Sequence, residues 1–180
     1  AFIQPDAARA LLHFRTRGMP AARSNARLSA RAGLQYPWQS APATAQEAAP
    51  AGGEAAAHED HGSLHVARAF SLYADITGDR AFLADAAWPI LCGVTDWIVS
   101  RVTKTKRGYE MLEAMGPAEV PEPPDNDAFT LMGAHDVLRR TVRTAEMLGR
   151  EVPERWRAVL SNLYLPRRSD GGIASHDDFH

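Results

Sequence analysis

The sequence MGPAEVPEPPDNDAFT, residues 115–130, joins an irregular loop to the start of a long helix. Four prolines and one glycine lie between positions 116 and 124. Because each proline fixes φ, lacks an N–H group and pushes the preceding residue out of the α region, the loop is predicted to be stiff and non-helical. Asp125 or Asn126 is expected to cap the next helix, whose positive end then lies near the loop. Glu119 is therefore predicted to sit on a rigid loop near a helix N-terminus.

Apolar periodicity on both sides of this loop predicts further helices. One helix should run from Asn126 to Leu148, with Gly149 as its C-cap. The others are predicted at residues 5 to about 18, 21–32, from the histidine-rich run at 58–65 to about 76, 80 to about 103, and 153–163. A kink is expected before Pro89 in the fourth of these. No strand longer than a few residues is predicted, so the fold class is all-α and the helices should form antiparallel hairpins.

The same periodicities predict which large side chains form the core. The predicted buried residues are Phe70, Tyr73, Leu91, Val94, Trp97, Ile98, Leu138 and Leu160.

With 180 residues, 45% hydrophobic and 23% charged, the chain can form one ordinary soluble domain. A formal net charge of −2 with interspersed signs argues against nucleic acid or an anionic membrane surface as a partner. We expect no segment apolar and long enough to cross a membrane, and no signal-peptide pattern opens the chain. The single cysteine, Cys92, argues against a disulfide framework or a cysteine-rich zinc site and fits a reducing compartment. These features predict a cytoplasmic protein.

Two groups of residues could carry function through their own chemistry. The segment around Trp38 contains a proline and cannot be helical, and such a tryptophan either covers a core or stacks on the apolar face of a sugar. His58, His61 and His65, together with Asp60, either form a metal cluster or hydrogen-bond near a cleft. The hydrogen-bonding role is preferred for these histidines, and no metal site is predicted.

Three segments carry a resemblance to a known family. Residues 116–119 and 125–130 are similar to the signature Gly-Pro-Asp-Glu … Asp-Asn-Asn-Ala-Tyr-Thr of glycoside hydrolase family 65, which comprises inverting α-glucoside phosphorylases and hydrolases. Residues 33–41 resemble the family motif Gly-Ala-x-Phe-Pro-Trp-(Glu/Gln)-Ser-Ala, and residues 61–69 resemble His-x-(Ser/Thr)-x-Asp-Ile-Ala-x-Ala. The chain departs from the family's commoner residues at Ala118, at Val120-Pro121 and at His65.

The resemblance implies a role for each matching residue. Glu119 stands at the position of the family's general acid, with Glu122 and Glu113 as rival acids. The implied substrate-binding residues are Trp38, Gln39 and Ser63, and further candidate site residues are Glu122, His61, His65 and Asn126. No metal or organic cofactor is implied, and inorganic phosphate would be a co-substrate if the enzyme is a phosphorylase.

The resemblance also implies the fold and the extent of the chain. The family fold is an (α/α)6 barrel of twelve helices, and residues 1–180 would make up about half of it, as a partial catalytic domain whose upstream and downstream parts are missing. The missing parts would include the catalytic base or the phosphate site, so hydrolysis and phosphorolysis both stay open. A half barrel would expose apolar helix faces, which could pair in a homo-oligomer.

A second hypothesis is a non-catalytic helical binding or scaffold module. On spacing alone, the proline-rich run is also typical of a solvated surface connection. In that case all four tryptophans would belong to the core: Trp38, Trp88, Trp97 and Trp156.

Overall fold

The computed structural model describes residues 3–49, 57–118, 120 and 122–179. Within these residues the chain is mostly helical, which confirms the all-α prediction. The helices are α1 (Pro5–Arg17), α2 (Met19–Leu28), α3 (His61–Thr77), α4 (Arg80–Arg101), α5 (Ala128–Met147) and α6 (Glu154–Asn162). A short antiparallel hairpin, β1 (Thr103–Lys104) and β2 (Tyr109–Glu110), follows α4.

The core lies where α3, α4 and α5 pack against one another, with α1 covering α3 and α6 lying across α4 and α5. The burial prediction is confirmed for Phe70, Tyr73, Leu91, Val94, Trp97, Ile98 and Leu138. Leu160 is only partly buried, because α6 lies on the outside of the core and turns Trp156 and Val159 inward. The three central helices therefore form a continuous apolar interior.

Helix α4 changes its winding where the sequence predicts a kink. Its first turn is capped by Asp79, whose Oδ1 accepts a hydrogen bond from Phe82 N at 2.8 Å. Residues Leu83–Ala87 then form a π-helical turn directly before Trp88 and Pro89. A proline removes one helical N–H group and its ring presses on the carbonyl four residues earlier, and the wider turn accommodates both effects.

Helix α4 also corrects an expectation about membranes. Its 22 residues are long and apolar enough to cross a membrane by length and composition alone, and half of its most apolar window is buried in the protein. The core helix of a soluble protein meets the same criteria. The expectation that no segment of the chain reaches this length and apolarity is therefore wrong for α4.

The chain leaves α2 earlier than predicted and packs directly on α4. Helix α2 ends at Leu28 rather than at residue 32, because Ala30 adopts a positive φ of 53°. Gly33 follows with φ 76°, and a Cβ there would lie 2.1 Å from the carbonyl oxygen of Gly93 on α4. Leu34 N then donates a hydrogen bond to that carbonyl at 2.9 Å. Only glycine permits this approach, which fixes the start of the segment that contains Trp38.

Candidate active site

The Trp38 segment, residues 34–39, is hydrogen-bonded to α3. The hydroxyl of Ser63 on α3 accepts a hydrogen bond from Tyr36 N at 2.9 Å. The Tyr36 side chain is buried, and its hydroxyl donates to the carbonyl of Arg15 at 3.1 Å. Burial raises the pKa of Tyr36 well above its usual value, so it stays a neutral donor. The Trp38 ring is left half-buried at the end of this anchored segment.

One carboxylate gathers several N–H groups at the end of the Trp38 segment. Glu47 accepts hydrogen bonds from four backbone N–H groups, those of Trp38 at 2.6 Å and of Gln39, Ala48 and Ala49 at 3.0 Å each. A carboxylate that accepts several N–H groups makes charge-assisted bonds, which are stronger than neutral ones. Glu47 thereby ties two stretches of irregular backbone together.

Four aromatic rings from three segments form an aromatic cluster beside Trp38. The ring centroids of Trp38 and His61 lie 5.5 Å apart, as do those of His61 and Phe129. His65 lies 5.4 Å from Phe129 and 5.5 Å from His61. All four pairs are edge-to-face, the arrangement that ring quadrupoles favour. His61 is also placed by Glu59, whose Oε2 lies 3.1 Å from His61 Nε2.

The cluster lies between two depressions in the surface. Trp38 lines a shallow pocket of about 150 Å³ with Tyr36, Glu47 and Glu59 among its other walls. His65 and Phe129 line a groove of about 310 Å³ between α3 and α5. Pockets that combine aromatic surface with a few polar groups are typical of sites for small polar ligands.

The base of the proline-rich loop (residues 115–123) is a closed neck, formed by residues 111–114 and 124–126. Asn126 N donates to the carbonyl of Met111 at 2.8 Å, and Asn126 Oδ1 accepts from Met111 N at 3.1 Å. Ala114 N donates to the carbonyl of Pro124 at 2.9 Å. Met115 N donates to the carbonyl of His58 at 2.9 Å, so the start of the loop is joined to the histidine-rich segment.

The cap of α5 differs from the prediction. Asp127, rather than Asp125 or Asn126, is the N-cap, and its Oδ1 accepts from Thr130 N at 2.8 Å. Asp125 Oδ1 instead accepts from Glu113 N at 2.8 Å in the neck. A Cβ on Gly116 would lie 2.4 Å from Asp127 Oδ2, so this glycine lets the loop pass directly over the cap.

A buried ion pair connects the start of α3 to α4, and its arginine also contacts the neck. Asp60 is 3% exposed and accepts from Arg101 Nε at 2.6 Å, with Arg31 Nη1 at 3.6 Å. Burial raises the pKa of the Asp60 carboxyl, against the opposing effect of the two arginines. Arg101 also donates to the carbonyl of Leu112 at 2.7 Å. The same arginine therefore fixes the start of α3 and one side of the neck.

Comparison with known proteins connects this arrangement to a family. The family model "Glycosyl hydrolase family 65 central catalytic domain" matches residues 1–180. The chain belongs to glycoside hydrolase family 65. A kojibiose hydrolase of Flavobacterium johnsoniae is 30% identical over 178 residues, covering 98% of this chain and 26% of that protein. A kojibiose phosphorylase of Escherichia coli K12 is 26% identical over 191 residues, covering 98% of this chain and 25% of that protein.

A solved structure shares the fold of this family-65 chain. It is provisionally identified as a kojibiose phosphorylase from the human microbiome, and it superposes with a TM-score of 0.86 at 15% identity. The alignment covers 96% of this chain and 28% of the other. The chain thus spans about a quarter of the length of the curated relatives named above.

The structure places the predicted site residues of this family-65 chain in different environments. Trp38, His61 and His65 meet in the aromatic cluster, and Gln39 is exposed beside Trp38. Ser63 is 2% exposed, and its hydroxyl is bonded to the backbone of Tyr36. The hydroxyl is therefore buried away from the pockets, and what it holds in this structure is the Trp38 segment.

The predicted site residues of the proline-rich loop and the neck lie in several different environments. Glu119 lies outside the described residues. Glu122 is exposed, and Glu113 is exposed with a positive φ of 49° in the neck. Asn126 is 0% exposed, and its Nδ2 donates to Glu110 and to Asp177 at 2.8 Å each. Its side chain is therefore turned into the protein and not toward a ligand.

The described residues do not gather the side chains that a metal would need. No group of three or more His, Cys, Asp or Glu side chains that could hold a metal ion occurs among them. His58 Nδ1 lies 2.9 Å from the carbonyl of Glu113, and Asp60 is bonded to Arg101. Each of these two side chains is used to connect the start of α3 to the neck or to α4.

Several residues of the site have no counterpart in the sequence predictions. Glu47 is an isolated acid in an Ala- and Pro-rich stretch, and Glu110 and Asp177 lie in a strand and a polar tail. Phe129 occurs in the family signature, but its position gives no sign that it would contact the histidines. Phe129 and Asp177 act across long sequence separations, whereas Glu47 accepts from residues within nine positions of it but without a recognisable motif.

Proposed function

We propose that this chain is part of an enzyme that cleaves an α-glucosidic bond with inversion of the anomeric carbon, by hydrolysis or by phosphorolysis. The observation that carries the proposal is the convergence of the three motif segments. Trp38 from the first, His61 and His65 from the second, and Phe129 from the third form one cluster. The third segment also contains Glu119, and Met115 N of its loop is bonded to the carbonyl of His58.

We propose that the chain forms about half of an (α/α)6 barrel and that the rest lies in a longer protein. Its mutually packed helices α3, α4 and α5 support this assignment, as does the TM-score of 0.86 against a structure of which it covers 28%. Apolar side chains such as Leu11, Leu28 and Met132 are exposed by more than half. Neighbouring helices of a complete barrel would cover such surfaces.

In the proposed reaction, Glu119 is the general acid. It protonates the glycosidic oxygen while the sugar develops oxocarbenium character, and the attack comes from the opposite face of the ring. An activated water requires a second carboxylate as base, whereas inorganic phosphate needs only a binding pocket as co-substrate. The group that selects between them lies, in this proposal, outside the 180 residues. The reaction requires no metal or organic cofactor.

The substrate is proposed to be a small α-glucoside, bound with one sugar against Trp38. The half-buried ring of Trp38 lines a pocket, and exposed Gln39 offers an amide beside it. A flat ring covers the C–H face of a pyranose, and an amide can bond its hydroxyls. Kojibiose is a reasonable first substrate to test, because the names of the relatives from Flavobacterium johnsoniae and Escherichia coli give it as their substrate.

The scaffold hypothesis receives less support from the tryptophans. Trp97 is 0% exposed and Trp156 is 3% exposed, so these two belong to the core as that hypothesis requires. Trp38 and Trp88 are only half-buried, and Trp38 lines a pocket. A module with a purely structural Trp38 would not need to hold that ring open to a pocket.

The test is product analysis of the longer protein. If water attacks, we expect ¹H NMR of a reaction with kojibiose to show β-glucose. If phosphate attacks, we expect β-glucose 1-phosphate, and only when phosphate is supplied. Glu119→Gln should slow the appearance of either signal by ~10²–10⁴-fold. Release of the α-anomer would contradict inversion, and unchanged product formation by Glu119→Gln would contradict the role of Glu119.

The remaining expectations stay predictions from sequence. They are a cytoplasmic location, the lack of nucleic-acid and membrane partners, and homo-oligomer formation through exposed apolar helix faces.

A further inference from the structure

The polar tail after α6 contains a carboxylate that contacts three separate parts of the chain. Asp177 Oδ2 accepts from Arg107 at 2.6 Å and from Asn126 Nδ2 at 2.8 Å. Asp177 Oδ1 accepts from the Tyr164 hydroxyl at 3.1 Å. Arg107 lies in the turn between β1 and β2, Asn126 lies in the neck, and Tyr164 follows α6. One side chain thus joins the hairpin, the neck and the end of α6.

The backbone around Asp177 also lies directly on the neck. Asp177 N donates to the carbonyl of Asp125 at 3.2 Å. Two residues earlier, the carbonyl of Ser175 accepts from Ala128 N at 2.8 Å. These two bonds flank Asn126, so the tail runs along the end of the neck and the start of α5.

Glu110 contacts the same two side chains as Asp177, those of Asn126 and Arg107. Its carboxylate is 3% exposed and accepts from Asn126 Nδ2 at 2.8 Å, from Arg107 and from Thr105. Asn126 and Arg107 therefore each bridge the same two carboxylates, those of Glu110 and Asp177. Every hydrogen-bonding group of the buried Asn126 amide has a partner, because its Oδ1 accepts from Met111 N. The orientation of the neck is thus set from both sides of Asn126.

We propose that Asp177 is a positioning residue for the reaction, holding the neck from which the proline-rich loop carries Glu119. The inference rests on the proposed function. The bonds within the neck close the loop, and Arg101 and the carbonyl of His58 hold its Leu112 side and the start of the loop to α4 and to the histidine-rich segment. Asp177 holds the opposite side of the neck, at Asn126, to the hairpin and the end of α6. A general acid works only within hydrogen-bond reach of the leaving oxygen, and a misplacement of 1 Å can cost about 100-fold in rate.

The experiment compares leaving groups in the longer enzyme. Asp177→Ala should lower kcat on a natural disaccharide by about 10- to 100-fold, because protonation of a poor leaving group depends on the position of the acid. Turnover of α-glucosyl fluoride, whose leaving group needs little protonation, should fall much less, and KM should change by less than about threefold. Tyr164→Phe, which removes one of the three donors to Asp177, should show the same pattern to a smaller degree.

Asp170→Ala is the matched control, because Asp170 lies in the same tail and, among the described residues, pairs only with exposed Arg168 and the nearby Gly172 N. It should leave both substrates unaffected. Equal losses on the disaccharide and the fluoride in Asp177→Ala, or no loss on either, would overturn the inference. If Asp177→Ala does not fold, Asp177→Asn and Tyr164→Phe carry the test, and an unchanged leaving-group dependence in both overturns it. Glu119→Gln, measured alongside, reports on the proposed function alone.

Discussion

The Trp38 segment and the neck are both irregular, but they are held in different ways. The tip of the Trp38 segment is held by the carboxylate of Glu47, which gathers four backbone N–H groups, and by local backbone bonds such as that from Ala48 N to the carbonyl of Gln39 at 2.8 Å. The neck depends on bonds within itself and on partners from α4, the hairpin and the tail, among them Arg101 and Asp177. One substitution at Glu47 should therefore loosen the tip of the first region strongly, whereas loss of any one partner should loosen the neck only in part.

The largest expected effect tests whether the proline-rich loop carries the chemistry at all. Glu119→Gln keeps the size of the side chain and part of its hydrogen bonding but removes the proton. General acid catalysis typically contributes ~10²–10⁴-fold, so kcat on a natural disaccharide should fall by about that factor while binding persists. Steady-state kinetics in the longer enzyme, with α-glucosyl fluoride as the less sensitive substrate, provides the measurement.

Glu122→Gln is the matched control for that substitution, because Glu122 is exposed on the same loop. Most of the rate should remain. If Glu119→Gln kept near-normal turnover and Glu122→Gln or Glu113→Gln did not, the assignment of the acid to Glu119 would be wrong. The loop would then carry the chemistry through a different carboxylate.

The second prediction addresses the Trp38 segment. Glu47→Ala removes the common acceptor of four N–H groups, and the loss of hydrogen bonds to a charged group costs about 1.5–3 kcal/mol each in favourable cases. Water can replace part of this at a half-exposed site, so we expect KM for the glucoside to rise about 10- to 100-fold. Glu47→Gln should have a smaller effect, because the amide keeps one acceptor oxygen.

Gln46→Ala is the control, since Gln46 is exposed and, in the part of the chain that the structure describes, its hydrogen bonds are made by its backbone within the same turn. It should leave KM unchanged. The comparison between the two regions fails if Glu47→Ala lowers kcat on the disaccharide more than on the fluoride without raising KM. That outcome would assign Glu47 to the placement of the acid instead of the placement of Trp38.

The helices were predictable because their signals are local. The run Thr77-Gly78-Asp79 predicts the end of one helix, and the structure has Gly78 with φ 67° and Asp79 as the cap of α4. The prolines predict the loop, because they act on their own φ and on one neighbour. The cap of α5 was misplaced to Asp125 or Asn126, because several acids and amides in a row can each serve. The approach of Gly116 to Asp127 is visible only in three dimensions.

The site was predictable only where a motif could be recognised. Ser63 and Asn126 lie in motif segments, yet the structure uses their polar groups to satisfy buried backbone and side-chain partners. Glu47 and Asp177 carry no motif, because each provides a shared acceptor: Glu47 for backbone N–H groups up to nine residues away, and Asp177 for side chains from distant parts of the chain. A buried N–H group must find a partner, but sequence does not say which one.

The third prediction concerns acid stability of the neck. Burial would raise the pKa of Glu110 and of Asp177, but hydrogen bonds from Arg107 and Asn126 outweigh it and lower both pKa values below their usual range. Groups with lowered folded pKa values stabilise the fold above their unfolded pKa, near 4, and lose that contribution as pH falls through the folded value. Asp177→Asn should therefore reduce the loss of stability as pH falls below about 4. Urea unfolding at a series of pH values measures this, and an unchanged pH dependence would contradict it.

The smallest expected effect is a change in the pKa of His65, which reports whether the Trp38 segment and the neck are held independently. Burial lowers the pKa of His65, and the nearby His61 and Arg68 lower it further. His61 lies between Trp38 and His65 in the aromatic cluster, so release of the Trp38 segment should loosen the packing that buries His65. Glu47→Ala should therefore move the His65 pKa upward toward its ordinary value of about 6.5, and Asp177→Asn should not. NMR titration of the His65 ring follows both variants. A wild-type pKa at or above 6.5, or equal shifts in the two variants, would mean that the two regions are not held independently.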